Sequence, residues 1–264
     1  MALLWTTVAA AFVAGLLACL ACGLGVFPLM IRGLDPAKQR GLGYGFAGGL
    51  MFSASVYNLL LPALDLGEGG WSLSKVVPIV GGLLLGALFL QVAESQIHDT
   101  PQLPERWKRW GGRVGFLVFI AMTIHSIPEG VAVGVGYAAD YNPVAVSHTH
   151  SLGPTLALAI AIHNIPEGLA VAIPLRSAGA SMTRCFLAAV VTSLTQPLAT
   201  IPAVLLAWFF TPLMPVLMGF AAGAMVFLVI LELIPEALET ESAKRIAWAF
   251  TLGFCLMLLV QVAI

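Results

Sequence analysis

Ile124-His125-Ser126-Ile127-Pro128-Glu129-Gly130-Val131-Ala132-Val133 returns later in the chain as Ile162-His163-Asn164-Ile165-Pro166-Glu167-Gly168-Leu169-Ala170-Val171. Each copy sits in the middle of an apolar stretch long enough to cross a bilayer, for which about 20 residues suffice. An ionisable side chain at that depth costs roughly 3 kcal/mol on insertion scales and usually has a functional reason to be there. Histidine and glutamate at i and i+4 share one helix face. His125, Glu129, His163 and Glu167, four such groups from two helices, suit a divalent metal ion inside the membrane. A His–Glu hydrogen bond that only ties two spans together is the plainer reading. It explains neither the second copy nor the prolines.

The surrounding composition fits that setting. Of 264 residues, 59% are hydrophobic and only 9% charged, where a soluble domain carries about 25% charged residues. The chain reads as an all-α, polytopic membrane protein. Its formal net charge of -1 offers no basic face for nucleic acid. Apolar segments run at roughly 5–31, 41–64, 76–97, 114–137, 153–175, 184–210, 213–238 and 244–263. These predict eight spans in a single transport domain over 1–264. Residues 1–97 hold spans 1–3, residues 114–175 hold the motif-bearing spans 4 and 5, and residues 184–263 hold spans 6–8. Cys19, Cys22, Cys185 and Cys255 all lie in apolar segments, so no disulfide framework is expected. Cys19-x-x-Cys22 reads as small apolar side chains at a packing face. Met1–Ala10 has no Lys or Arg to form the charged start of a signal peptide.

With eight spans, every Lys and Arg of the 12 except Lys75 falls in loops on one side. The positive-inside rule makes that side the cytoplasm and puts both termini outside. A second repeat is spread further apart. Gly45-Phe46-Ala47-Gly48-Gly49-Leu50-Met51 in span 2 matches Gly219-Phe220-Ala221-Ala222-Gly223-Ala224-Met225 in span 7, and the match continues without gaps to Asp65 and Glu239. These spans cross in opposite directions, as in an inverted-repeat transporter whose substrate binds near the midplane. Spans 1–3 then mirror 6–8. The G-x-x-x-G pairs Gly45/Gly49, Gly82/Gly86 and Gly219/Gly223 allow close helix approach.

Pro128 and Pro166 each remove a backbone hydrogen bond and are expected to kink their spans. The carbonyls they free, near Ile124 and Ile162, need partners in lipid. Imidazole and carboxylate suit tetrahedral zinc, and two carboxylates neutralise one divalent ion. Metal binding at such ligands is expected to release protons and to depend on pH.

The repeated H-x-x-P-E-G on neighbouring spans, the G-F-A-G-G-L-M run and eight spans with both ends outside resemble the ZIP (Zrt-/Irt-like) metal-ion transporters, most of all their compact bacterial GufA-like branch. The resemblance covers nearly the whole chain. It implies uptake of Zn2+, and of similar ions such as Cd2+, Fe2+ and Mn2+, into the cytoplasm across a bacterial inner membrane. It also implies a 3+2+3 helix arrangement, a homodimer, elevator-like alternating access and no resident cofactor. The family's primary metal position maps onto His125, Glu129, His163 and Glu167. Met51 maps as a soft further ligand, although it reads equally as a core methionine. Asn58 and Asp65 match the family's entrance positions.

Many members of that family build a second metal position that includes an acid in span 6. The matching residues here, Ser126, Asn164 and Gln196, are neutral, so one metal rather than a binuclear centre is expected. The neutral cluster reads equally as a weak stop on the path or as interhelical hydrogen bonding. Glu232 and Glu236 in span 7, with His98 after span 3, are candidate exit residues. Snorkelling to the cytoplasmic surface is the alternative for the two glutamates. His148-Thr149-His150 is a candidate ion-gathering loop or simply a solvated one. An intramembrane zinc hydrolase is the competing activity, because zinc with an open position activates water. The chain has no H-E-x-x-H or G-x-S-x-G, and no phosphate loop for ATP. It does not read as an enzyme.

Overall fold

The computed structural model describes residues 1–30, 36–65, 72–98, 112–141, 151–177, 179–209 and 211–263. The described residues are helical throughout their long segments, with no strand among them. The helices are α1 (Ala2–Leu24), α2 (Pro36–Ala54), α3 (Leu61–Asp65), α4 (Leu73–His98), α5 (Gly112–Tyr141), α6 (Leu152–Ser177), α7 (Met182–Thr192), α8 (Thr195–Phe209), α9 (Met214–Leu228), α10 (Ile234–Leu238) and α11 (Ala243–Ala263). Among the described residues seven helical stretches are long and apolar enough to cross a membrane. The 30-residue α5 lies outside that set and carries the first copy of the motif.

Three interruptions depart from smooth spans, and each precedes a proline. The stretch from 184 to 210 breaks at Ser193–Leu194 between α7 and α8. The helical donor for the Ser193 carbonyl would be the nitrogen of Pro197, which has no hydrogen. That carbonyl instead accepts from the Gln196 N–H one residue earlier, at 3.0 Å, and α8 restarts with Pro197 in its first turn. Two π-helical segments, Ser55–Leu60 and Val229–Leu233, separate α2 from α3 and α9 from α10. Each ends two residues before a proline, Pro62 or Pro235. Single π turns of this kind recur at functional sites. By contrast α5 runs unbroken through Pro128. Just before the motif the Thr123 carbonyl also accepts from the Thr195 hydroxyl of α8 at 2.7 Å.

The helices pack in two sets. α1, α5, α6, α7 and α8 pack on one another, as α4 does on α9 and α11 on α2. Contacts of α5 with α9 and of α2 with α6 join the sets. Of the apolar window in α6, 69% is buried, against 22% in α4 and 17% in α11. α6 is therefore central, and α4 and α11 are outermost. Their exposed Leu84, Leu88, Trp248, Leu252 and Leu259 form the kind of apolar exterior that lipid covers. Between α4 and α9 the small-residue pairs meet as the pattern predicts, since a Cβ on Gly86 would overlap the Phe220 carbonyl and one on Gly223 the Leu83 carbonyl. Where the C-terminus of α5 meets the N-terminus of α6, Asp140 accepts from the Leu152 N–H at 2.6 Å and the Gly153 N–H at 2.8 Å. This carboxylate caps the first turn of α6 and fixes the pair antiparallel. The four cysteines are free.

Gly86→Ala should push α4 away from α9 and lower stability by about 1–3 kcal/mol. Gly81→Ala, where an added methyl meets nothing within 4 Å, should leave it unchanged. Thermal unfolding of the detergent-purified variants distinguishes the two.

Candidate metal centre

Glu129 extends from α5, and His163 and Glu167 extend from one face of α6 a turn apart. One ligand atom from each of the three lies within 4.8 Å of the others. All three side chains are buried. His163 Nε2 lies 3.3 Å from Glu129 Oε1. Two ligands each about 2.1 Å from a tetrahedral ion stand roughly 3.4 Å apart, so this pair is already spaced as ligands of one ion.

The glycines of the repeated motif close the site. A Cβ on Gly168 would overlap the carbonyl of Cys22 in α1, and a Cβ on Gly130 would overlap the carbonyl of Gln196 in α8. Backbone contact at these two points seats α1 and α8 directly against the turns that carry the glutamates. Within the closed site, both carboxylate oxygens of Glu167, Nδ1 of His163 and Oδ1 of Asn164 are buried without a hydrogen-bond partner. Leaving a buried carboxylate uncompensated is among the costliest arrangements a protein can adopt. A cation removes that cost, and an imidazole with two carboxylates is a donor set suited to zinc.

A chain of amides flanks the three ligand candidates. The Asn164 Nδ2 amide donates to the Ala18 carbonyl of α1 at 2.9 Å and to Gln196 Oε1 at 3.1 Å. Gln196 Nε2 in turn donates to Glu129 Oε2 at 3.2 Å. Ser126 donates back to the Met122 carbonyl of its own helix at 3.0 Å. Asn164 and Gln196 thus hydrogen-bond between helices, whereas Ser126 bonds within its own.

The profile of the family described as ZIP zinc transporter matches residues 107–261. The chain is 34% identical over 259 residues to the zinc transporter GufA of Myxococcus xanthus, covering 94% of this chain and 97% of that protein. The chain belongs to the ZIP zinc transporter family. Other relatives in the family are the zinc transporter ZIPB of Bordetella bronchiseptica, 34% identical over 246 residues (89% of this chain and 75% of that protein). The human zinc transporter ZIP11 is 31% identical over 300 residues, covering 83% and 87%.

Of the positions expected in a ZIP protein, the structure brings together Glu129, His163 and Glu167, and joins Asn164 and Gln196 to them. The side chains of His125, Asp65 and His98 lie outside the described residues, as does the loop with His148 and His150. Met51 is wholly buried in α2, and its carbonyl accepts from the Ser55 hydroxyl at 2.8 Å. Asn58 is buried in the first π segment, and neither atom of its amide has a partner. Glu232 lies in the second π segment and Glu236 in α10, both partly exposed. Sequence reading missed two contributors. Ala18 acts through its carbonyl, which no side-chain pattern reveals. Thr195 supports the α5 backbone; its place two residues before Pro197 was the available signal.

Glu167→Gln keeps the shape and removes the charge. It should weaken Zn2+ binding by more than the roughly 10–100-fold typical of losing an outer partner, as read by titration calorimetry on the purified chain.

Proposed function

We propose that this chain is a zinc uptake transporter that moves Zn2+ toward the cytoplasm through one mid-membrane site, by alternating access. The observation that carries the reading is the wholly buried, unpartnered Glu167 beside His163 and Glu129 in a chain of ZIP type. Relatives in that family are named as zinc transporters, which favours transport over the intramembrane hydrolase. His125 and Met51 complete the ligand set in this proposal. Asn58 and Asp65 form the outer approach, and Glu232, Glu236 and His98 form the exit. Asn58 is suited to a transient stop because its buried amide lacks a partner. Cd2+, Fe2+ and Mn2+ are candidate further substrates. Eight spans, both termini outside and a homodimer in a bacterial inner membrane complete the proposal.

An inverted repeat with a 3+2+3 arrangement is supported by matched features at one constant interval along the chain. The interval from Gly45 to Gly219 equals that from Ser55 to Val229, where the two π segments begin. It also equals that from Cys22 to Gln196, the two residues whose carbonyls meet Gly168 and Gly130. Packing of α4 on α9 has its counterpart in α11 on α2. Alternation between outward and inward forms then needs only that the two halves exchange conformations.

Proteoliposomes containing the wild-type chain should take up Zn2+ saturably, and Glu167→Ala should reduce uptake to the level of empty vesicles. Wild-type protein that is folded and binds zinc, yet carries none across the bilayer, would refute the transport reading.

A further inference from the structure

The Cys19-x-x-Cys22 pair of α1 has no part in the centre described so far, and its two thiols do different things. Cys19 donates to the Val190 carbonyl of α7 at 3.3 Å and serves as a packing contact, as its place in an apolar segment suggests. Cys22, one turn further on, is wholly buried. Its carbonyl lies against Gly168, the residue after Glu167, just as the Gln196 carbonyl lies against Gly130, the residue after Glu129. Each motif glutamate therefore has one residue of a neighbouring helix seated beside its turn. Gln196 answers Glu129 with an amide. Cys22 brings a thiol, which hydrogen-bonds with the Ser193 side chain at the α7–α8 break and has both Glu167 and Glu129 within electrostatic reach. Glu167 is 3% exposed, and neither of its oxygens has a partner. A carboxylate with open oxygens and a thiol from the adjoining helix are thus buried side by side.

We propose that Cys22 is a specificity-determining residue that opens this centre to thiophilic divalent ions, with Cd2+ as the type. The inference rests on the metal-site reading given above and adds the class of ion that the site accepts. The thiol stands outside the three ligand atoms that converge from Glu129, His163 and Glu167. Zn2+ is held by those three. A larger and softer ion keeps Glu167 and shifts toward α1, where sulfur replaces a harder donor, because thiolate ligands select soft metals. The thiol ligates as thiolate: the S–H bond breaks as the S–Cd bond forms, and the proton is released to solvent. Glu167 and the thiolate together balance the two charges of the ion. Glu129 keeps its bond from the Gln196 amide throughout.

The test is titration of the purified full chain with Cd2+ and, separately, with Zn2+. Thiolate binding is read from the ultraviolet sulfur-to-cadmium charge-transfer absorption, which a thioether such as Met51 does not give, and folding from monodispersity. Wild type should develop the band with one thiolate per bound Cd2+. Cys22→Ser should lose it and bind Cd2+ more weakly by at least the roughly tenfold that even an outer partner is worth, with Zn2+ affinity close to that of wild type. Cys19→Ser should keep the band. A chain with Cys19, Cys185 and Cys255 all changed to serine retains only Cys22; it should also keep the band, and it serves where Cys22→Ser does not fold. Cd2+-loaded wild type without the band, a folded Cys22→Ser that retains it, or equal weakening of both ions in that variant overturns the proposal. Wild type that binds neither ion is a different failure, that of the metal site itself. A chain that shows the band but carries no metal in the vesicle assay loses only the transport reading.

Discussion

Everything near the centre of this molecule follows from placing carboxylates where neither water nor lipid can solvate them. Glu129 has an imidazole and an amide beside it, whereas neither oxygen of Glu167 has a hydrogen-bond partner. The tripeptide Pro-Glu-Gly gathers the requirements in one turn. In the first copy the proline loosens the backbone, the glutamate supplies charge, and the glycine lets a neighbouring helix close against the turn. α1 closes on Gly168 and α8 on Gly130. A larger residue at either glycine would hold the helices apart and change the medium around the acid.

Irregular backbone is concentrated around the same core. The α7–α8 break and the two π segments each lie just before a proline. A membrane allows unsatisfied backbone only where protein can re-satisfy it. The Gln196 N–H re-satisfies the Ser193 carbonyl, and the Thr195 hydroxyl adds a bond to the Thr123 carbonyl of α5. These repairs lie one to three residues from the side chain that touches Glu129. Backbone strain and ligand placement are thus solved by the same short stretch of α8.

The outer helices serve a different purpose. α4 and α11 bury little of their own surface, and they pack along α9 and α2 through glycine contacts and aromatic pairs, Phe89 with Phe220 and Phe52 with Phe250 and Phe254. The inner helices, by contrast, are tied through Asp140, Asn164, Gln196 and Thr195. Directional hydrogen bonds hold the buried Glu129–His163 pair and its amides in one geometry, while glycine and aromatic contacts hold the periphery.

The sequence by itself determined the all-helical membrane architecture, because a long apolar run in lipid has to satisfy its backbone internally and a helix does so. It also marked Glu129, His163 and Glu167, since charge in the middle of such runs is too costly to be incidental, and the duplicated motif put them on two helix faces. The close-packed glycine pairs were legible as pattern. Sequence could not decide what the neutral residues do. Ser126, Asn164 and Gln196 look alike as polar positions, yet Ser126 bonds back to its own helix while the other two form a directed relay. Only the tertiary structure settles this, because an amide's orientation is set by partners distant in the chain, including the Ala18 carbonyl. The break at Ser193 and the repair by Thr195 were hidden for the same reason. A proline announces that a hydrogen bond is missing, but which group replaces it depends on which helix packs alongside.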